Sequence, residues 1–457
     1  MSGGEPQALT GHSLEGIWTF GFFAACYTGG TAAKSRLTFV TPAPAPPMHV
    51  LVVTDNFAPE RNAPAVRTYA HSRRWAGAGV EVTVVTSAPN FPAGVVQAPY
   101  RNRLIQHEKM AGVEVVRVWT YLAPNQAIVR RSLDFLSFAI SGFIAGLAQP
   151  ADVIMATSPQ LLAGMSGALL AFVRRKPWLL EVRDLWPDSI VALDMMRERG
   201  LFVRLLRFVE NRLYRSASRI VTTNAGLRER LIARGVPAAK IGVVPNGVDA
   251  AEFRPRPPPQ ALIEKYGLTG RFVVGYIGTQ GLAHDLQSVV KAAERLRAAN
   301  VAFLFVGDGA QHQTLVRHVR ERKLDNFHFV RSVPPDEVPD HIAACDVLLV
   351  PLKRTATLSD TMPSKIFEIA AMERPIVIGA EGIAADLVRG HGAGLTVEPE
   401  NAPALIAAIE RLRNEPGLAA SMQPGCRALA DDFSRDKFAS QMLDEIKLAA
   451  KMRKSPK

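Results

Sequence analysis

The chain reads as an α/β protein in which two Rossmann-like, doubly wound domains face each other across a cleft. Three observations predict this. From Met48 onward, short β-branched runs alternate with helix-like stretches. The alternation is broken by the proline-dense "DAAEFRPRPPPQ" and then restarts. A length of 457 residues with 48% hydrophobic content suffices for two separate cores.

In order, "HVLVVTD" is the first strand, followed by the helical "PAVRTYAHSRRWAGAG" and then "EVTVVTS". "VEVVRVW", "DVIMATS", "PWLLEVRD", "RIVTTN" and "IGVVPN" continue the first domain, with helical patterns between most of them. Runs this apolar fit parallel strands covered on both faces. After the proline stretch come "FVVGYIG", "AFLFVGDG", "NFHFVRS", "VLLVPL", "PIVIGA" and "GLTVEP", each but the last followed by a helix-like segment. The expected divisions are 48–250, a linker over 251–270, 271–430, and a C-terminal helix with a basic tail over 431–457, the helix packing back on the first domain. Ligands of such sheets sit beyond the carboxyl ends of the strands.

Residues 1–47 stand apart. "GIWTFGFFAACYTGG" is too short to span a bilayer, and no basic residues precede it as in a secretory signal. Met48 opens what reads as a natural first strand. The preceding segment is therefore expected to be a disordered or loosely packed extension from an upstream start codon, or else a membrane-touching segment.

Charged residues make up 21%, which excludes a disordered polyelectrolyte and a membrane-spanning bundle. Cys26, Cys345 and Cys426 show no paired spacing, against a disulfide framework or zinc site and in keeping with a reducing cytosol. The 54 Lys+Arg against 42 Asp+Glu give +12, which suits phosphorylated substrates or an acidic lipid surface. No basic block is interleaved with aromatics, so nucleic acid is not an expected partner. GxGxxG, Walker, HExxH, GxSxG and DxD motifs are all missing from the sequence.

The chemistry concentrates in the second half. "GYIGTQGLAHD" places Gly278, Thr279 and Gly281 after the domain's first strand, where backbone N–H groups suit a phosphate; a tight turn explains them equally well. Gly307 and Gly309 repeat the device after the second strand, and Arg331 leaves the third. In "DTMPSKIFEIAAMERPIVI", Ser364 and Lys365 open a helix and would meet a diphosphate. Glu368, a turn further on, would accept hydrogen bonds from ribose hydroxyls. A surface ion pair accounts for Lys365 and Glu368 but not for their company of glycine turns.

"APNFPAG", "EVRDLWPDS", "VVPNGVD" and "MPSKIFEIAAMERPIVI" together resemble family 4 of the retaining, GT-B-fold glycosyltransferases, closest to the surface-polysaccharide group that includes fucosamine transferases. The resemblance covers Met48 to about residue 440. It implies a sugar transferred with retention from a nucleotide sugar, UDP-linked by expectation, to a lipid-linked saccharide or polyprenyl-linked acceptor. Glu368 is implied to bind the ribose, and Asp360, eight positions earlier, to lie near the transferred sugar. Relatives often carry an Arg and a Lys after the second domain's first strand; "GTQGLAH" has neither, which leaves Lys365 to stabilise the leaving diphosphate. His284 would assist if protonated, but reads first as a capping or exposed residue. The resemblance further implies that Arg183 and Asp184 contact the sugar or acceptor, although an internal salt bridge accounts for them too. Glu60, Asn62, Arg67 and Asn246 are implied to shape the acceptor or sugar pocket, although Asn246 and Gly247 read first as a turn; Trp186 reads as packing. No metal or other cofactor is expected.

"RRSLDFLSFAISGFIAGL" and "RERGLFVRLLRFVENRLYRSASR" are apolar helices with arginines. They read either as crossover helices or as contacts with the acidic cytoplasmic face of an inner membrane. A nucleotide-sugar epimerase and a catalytically silent, membrane-associated nucleotide-binding subunit are the alternative functions.

Overall fold

The computed structural model describes residues 47–452, apart from 61, 92–93, 124–127, 159–160 and 186–199. The N-terminal extension and Trp186 lie outside the described residues.

The first domain begins with β1 (His49–Val53), α1 (Ala63–Gly77), β2 (Glu81–Ser87), β3 (Ile105–Met110) and β4 (Val113–Val118). It continues through α2 (Ile128–Leu147), β5 (Val153–Thr157), α3 (Leu161–Val173) and β6 (Trp178–Val182). Then come α4 (Leu201–Ser216), β7 (Arg219–Thr222), α5 (Ala225–Ala233) and β8 (Ile241–Val243). The sheet order is β3-β4-β2-β1-β5-β6-β7-β8. Val50 pairs with Val82 on one side and Val153 on the other, so the order reverses between β1 and β5. Only β3 is antiparallel among these pairs. It escaped the sequence reading because "IQHEKM" is an edge strand whose residues alternate exposed and half-buried, leaving no apolar run.

The second domain opens with α6 (Gln260–Lys265), β9 (Phe272–Ile277), α7 (Leu286–Arg295), β10 (Val301–Val306), α8 (His312–Glu321) and β11 (Phe327–Val330). Next are α9 (Val338–Ala343), β12 (Val347–Pro351), α10 (Ala356–Ser359), α11 (Lys365–Ala371) and β13 (Ile376–Gly379). The chain ends with α12 (Ile383–His391), β14 (Gly394–Val397), α13 (Ala402–Asn414), α14 (Pro416–Asp432) and α15 (Arg435–Lys451). This sheet is parallel, ordered β11-β10-β9-β12-β13-β14, and reverses between β9 and β12. The last strand also has its helix: Asn401 caps α13 through a bond from the Ala404 N–H (3.0 Å).

Each sheet is covered on both faces. In the first domain, Leu51, Ile154 and Leu180 face α2–α5, while Val50, Val52 and Met155 face α1 and α15. In the second, Leu304 and Leu348 meet α9, α11, α12 and α14, while Val274 and Phe303 meet α7, α8 and α13. The proline-dense connection is partly absorbed into that second core, since Phe253 and Leu268 are buried there. The chain crosses between domains twice, and the crossings touch: Val248 N–H donates to Phe433 O and Arg435 N–H to Val248 O, both at 2.9 Å. Gly247 is required here, because a Cβ would lie 2.4 Å from Phe433 O.

Candidate active site

α11 packs Ile366, Phe367, Ile369 and Ala370 into the core, each no more than 2% exposed. Residues three apart share a helix face, so Lys365 and Glu368 are turned together to the other side. The helix has only seven residues, which leaves little macrodipole and places the burden of charge on Lys365 itself. The Nζ of Lys365 is buried without a hydrogen-bond partner among the described residues. It stands 4.1 Å from the centre of the Tyr276 ring, an arrangement in which the ring's negative face holds the cation. It also abuts the turn after β9: a Cβ on Gly278, whose φ is +132°, would lie 3.0 Å from Nζ. Burial pulls the Lys365 amine down to about 8, and Glu368 opposes that fall. Burial pushes the Glu368 carboxyl up, against the pull of Arg435 and then Lys365. Ser364 makes no side-chain capping bond.

The other glycine turns serve mostly each other. A Cβ on Gly307 would meet Gly278 O at 2.2 Å, and one on Gly309 would meet Gln280 O at 2.6 Å. Gln280, fully buried, donates from Nε2 to Gly307 O (3.1 Å). Gly307 and Gly309 thus lock two loops together instead of presenting backbone to a ligand. Thr279 is exposed, with its carbonyl accepting the Tyr276 hydroxyl (2.5 Å), and Gly281 makes only ordinary contacts. Arg331 is exposed at the end of β11. His284 neither caps nor lies exposed: Asp285 caps α7, and His284 is half-buried. Burial and then the charge of Lys365 push His284 down to about 4, so it is neutral at pH 7 and supplies no second cation.

In the first domain, three residues implied for the acceptor pocket are taken up structurally. Glu60 accepts the N–H groups of Asn90 (2.8 Å) and Phe91 (2.9 Å), fixing the chain where it leaves β2. Asn62 caps α1 through the Ala65 N–H (3.0 Å). Arg67 is 5% exposed and binds Glu181 (2.7 Å), the Val244 carbonyl (2.7 Å), the Pro245 carbonyl and Asn246 Oδ1 (3.3 Å). It is an internal clamp between α1, β6 and the segment after β8, not a cleft residue.

The remaining candidates converge. A cavity of about 290 Å³ is lined from the first domain by Arg183, Asp184, Arg230 and Asn246, and from the second by Asp360 and Ser364. Asp360 is ion-paired there with Arg230 of α5 (2.6 Å), a bond that joins the two domains across the cleft. Arg183 and Asp184 form no ion pair among the described residues; Arg183 is buried and Asp184 exposed. Protein crowding raises the Asp184 carboxyl, with Arg183 opposing. Among the described residues, no group of three His, Cys, Asp or Glu side chains is placed to hold a metal ion.

Sequence reasoning missed Tyr276, Arg230 and Arg435. Tyr276 looked like one more apolar strand residue. Arg230 sits on an ordinary basic helix, and its partner is 130 positions away. Arg435 opens α15, bonds Gly247 O (2.9 Å) and projects its charge onto Glu368; only the chain's return crossing makes that proximity visible.

Residues 62–247 match the family model of the glycosyl transferase 4-like domain, and residues 271–415 that of the glycosyl transferases group 1. The putative colanic acid biosynthesis glycosyl transferase WcaI of Escherichia coli (strain K12) is 28% identical over 375 residues, 80% of this chain and 92% of that protein. The probable glycosyltransferase WbjE of Pseudomonas aeruginosa is 26% identical, covering 61% of this chain and 70% of its own. Among solved structures, sucrose-phosphate synthase from Thermosynechococcus elongatus superposes with a TM-score of 0.69 at 20% identity, over 87% of this chain and 98% of that one. Anabaena HepE in complex with UDP-glucose gives 0.64 at 18% identity, over the same shares. With both halves of the two-domain fold matched, the chain belongs to the GT-B glycosyltransferases, a 4-like domain followed by a group 1 domain.

Proposed function

We propose that this glycosyltransferase moves a sugar from a UDP-linked donor to a lipid-linked saccharide or polyprenyl-linked acceptor in surface-polysaccharide synthesis, with retention of configuration. The observation that carries the donor reading is Lys365: a buried ammonium group without a hydrogen-bond partner among the described residues, held by an aromatic ring against the Gly278 turn. A buried cation against the turn after β9, beside the point where strand order reverses, suits a diphosphate. Glu368 on the same helix face would take the ribose hydroxyls. The name of WcaI, which places it in colanic acid biosynthesis, supports the pathway, and the UDP-glucose held by HepE supports the nucleotide.

In the proposed reaction the diphosphate departs on the face from which the acceptor hydroxyl attacks. A diphosphate oxygen takes the acceptor proton. The protein's part is orientation and stabilisation of the departing anion, with Lys365 meeting the growing charge and no metal required. The cavity between Ser364 and Arg183 would hold the sugars, and closure across the cleft would exclude water.

The acceptor reading extends to a membrane. α3 packs between α2 and α4, and the three helices expose Leu136, Ile140, Ile144, Phe172, Phe202 and Phe208, all at least 46% accessible. Exposed arginines on α4 accompany them. We assign this face to the acidic cytoplasmic surface of an inner membrane. No helix among the described residues is long and apolar enough to cross a bilayer.

The test is incubation with a panel of UDP- and GDP-sugars, with and without a polyprenyl-diphosphate-linked sugar. Acceptor-dependent release of UDP supports the proposal. A change in the sugar without acceptor would mean epimerisation, and binding without turnover would mean a silent subunit; either overturns it.

A further inference from the structure

Arg183 leaves β6 at its carboxyl end, its main-chain N–H bonded to Ser158 Oγ (3.1 Å). It is only 9% exposed, and its Nη1 is buried with no hydrogen-bond partner among the described residues. Two carboxylates lie near enough to favour its charge, and neither neutralises it. Glu181 is 1% exposed and already bonded to Arg67 at 2.7 Å. Asp184 favours the charge of Arg183 from nearby but forms no ion pair with it among the described residues. The first-domain wall of the cleft therefore packs two guanidinium groups around one buried carboxylate. Arg67 repels Arg183 further, and burial draws the Arg183 guanidinium down to about 10.

A buried cation without a counter-ion is costly unless something completes it. Among the described residues, the rest of the cavity does not. Thr223, Asn224, Asn246, Thr361 and Ser364 are neutral, and Arg230 and Asp360 cancel each other. Lys365 does not line this cavity. The diphosphate assigned to Lys365 is thus served elsewhere, and Arg183 is left for a second anion. A guanidinium fork suits a planar or tetrahedral oxyanion through paired hydrogen bonds.

We propose that Arg183 recognises a carboxylate or phosphate group, distinct from the donor diphosphate, carried by a substrate in this cleft. The two sources are a uronate carboxylate on the transferred sugar and the diphosphate of a prenyl-linked acceptor. The proposal rests on the cleft being the glycosyl-transfer site.

Calorimetry on the full chain tests it with four probes: UDP, UDP-glucose, UDP-glucuronate, and geranyl diphosphate added to the UDP complex. Wild type should prefer UDP-glucuronate to UDP-glucose, or bind geranyl diphosphate in the presence of UDP. Arg183→Met should remove that gain by about tenfold or more while leaving UDP itself unchanged. Arg183→Lys should restore part of it, which shows that charge and not folding is responsible. Loss confined to the glucuronate probe assigns the anion to the transferred sugar; loss confined to geranyl diphosphate assigns it to the acceptor. No preference for a charged probe in wild type, or no loss in Arg183→Met with UDP affinity intact, overturns the proposal. A fall in UDP affinity in Arg183→Met also overturns it, because Arg183 would then serve the nucleotide. Failure of wild type to bind UDP at all instead refutes the donor site at Lys365.

Discussion

At the scale of single residues, the role proposed for Lys365 turns on a burial that opposes its charge. A lysine ordinarily titrates near 10.4; here burial draws it to about 8. Between these values the unfolded chain binds a proton that the folded one lacks, so the ligand-free protein gains stability as pH rises through that window. Below pH 8 both forms are protonated and the penalty of the buried charge is fully present. Activity should run the other way: kcat/KM should fall as pH rises through about 8, and Lys365→Arg should move that limb upward. Lys365→Ala should lower kcat by about a hundredfold with a smaller change in donor KM, as expected for a group that meets charge developing during departure. A pH-independent kcat/KM between 7 and 9, or a loss confined to KM, would contradict this. The spacing of Lys365 and Glu368 was legible in the sequence, because two side chains on one short helix are related by local geometry alone. The role of Arg67 was not. Its carboxylate partner lies 114 positions away, so a residue implied for the cleft turned out to be an internal clamp.

At the scale of elements, the turns after β9 and β10 behave as one interlocked unit. Gly307→Ala would place a Cβ 2.2 Å from Gly278 O at a φ of +131°, and a backbone atom has no rotamer with which to withdraw. A loss of about 2–4 kcal/mol in denaturant unfolding is expected, with weakened donor binding. Gly281→Ala meets its nearest atoms at 3.7 and 3.9 Å, and stability should change by about 0.5 kcal/mol or less. Equal losses in the two variants would show that the loops are not interlocked. The apolar face of α2, α3 and α4 yields another element-level expectation. Ile140→Glu combined with Phe208→Glu should reduce co-sedimentation with vesicles containing phosphatidylglycerol and leave the melting temperature near wild type. Unchanged co-sedimentation would remove the membrane assignment from this face. Strands with continuous β-branched runs were legible because burial on both faces leaves a local signature. β3 was not legible, because an edge strand carries polar residues. The contribution of α3 to the exposed face was hidden as well, since "LLAGMSGALLAFV" looks like core throughout.

For the whole molecule, the two-domain plan was legible from the restart of the β/α alternation after the proline stretch. How the domains meet was not, because it depends on the return crossing. α15 brings Phe438, Met442 and Ile446 onto the first sheet, and Trp75 Nε1 donates to Ala439 O at 2.8 Å. The same crossing sets Arg435 near Glu368, and the Arg230–Asp360 pair closes the far side of the cleft. That pair is more than a third exposed on each side, so its contribution to stability is small, about 0–1 kcal/mol, and it can open for substrates. The central claim is that the α11 wall of this cleft holds the nucleotide half of the donor. Calorimetric titration of UDP into wild type and Glu368→Ala, with thermal unfolding as the check on folding, tests it most directly. The account predicts an affinity loss of about a hundredfold at an unchanged melting temperature, as two bonds to a charged acceptor disappear. Undiminished UDP affinity in Glu368→Ala would contradict it.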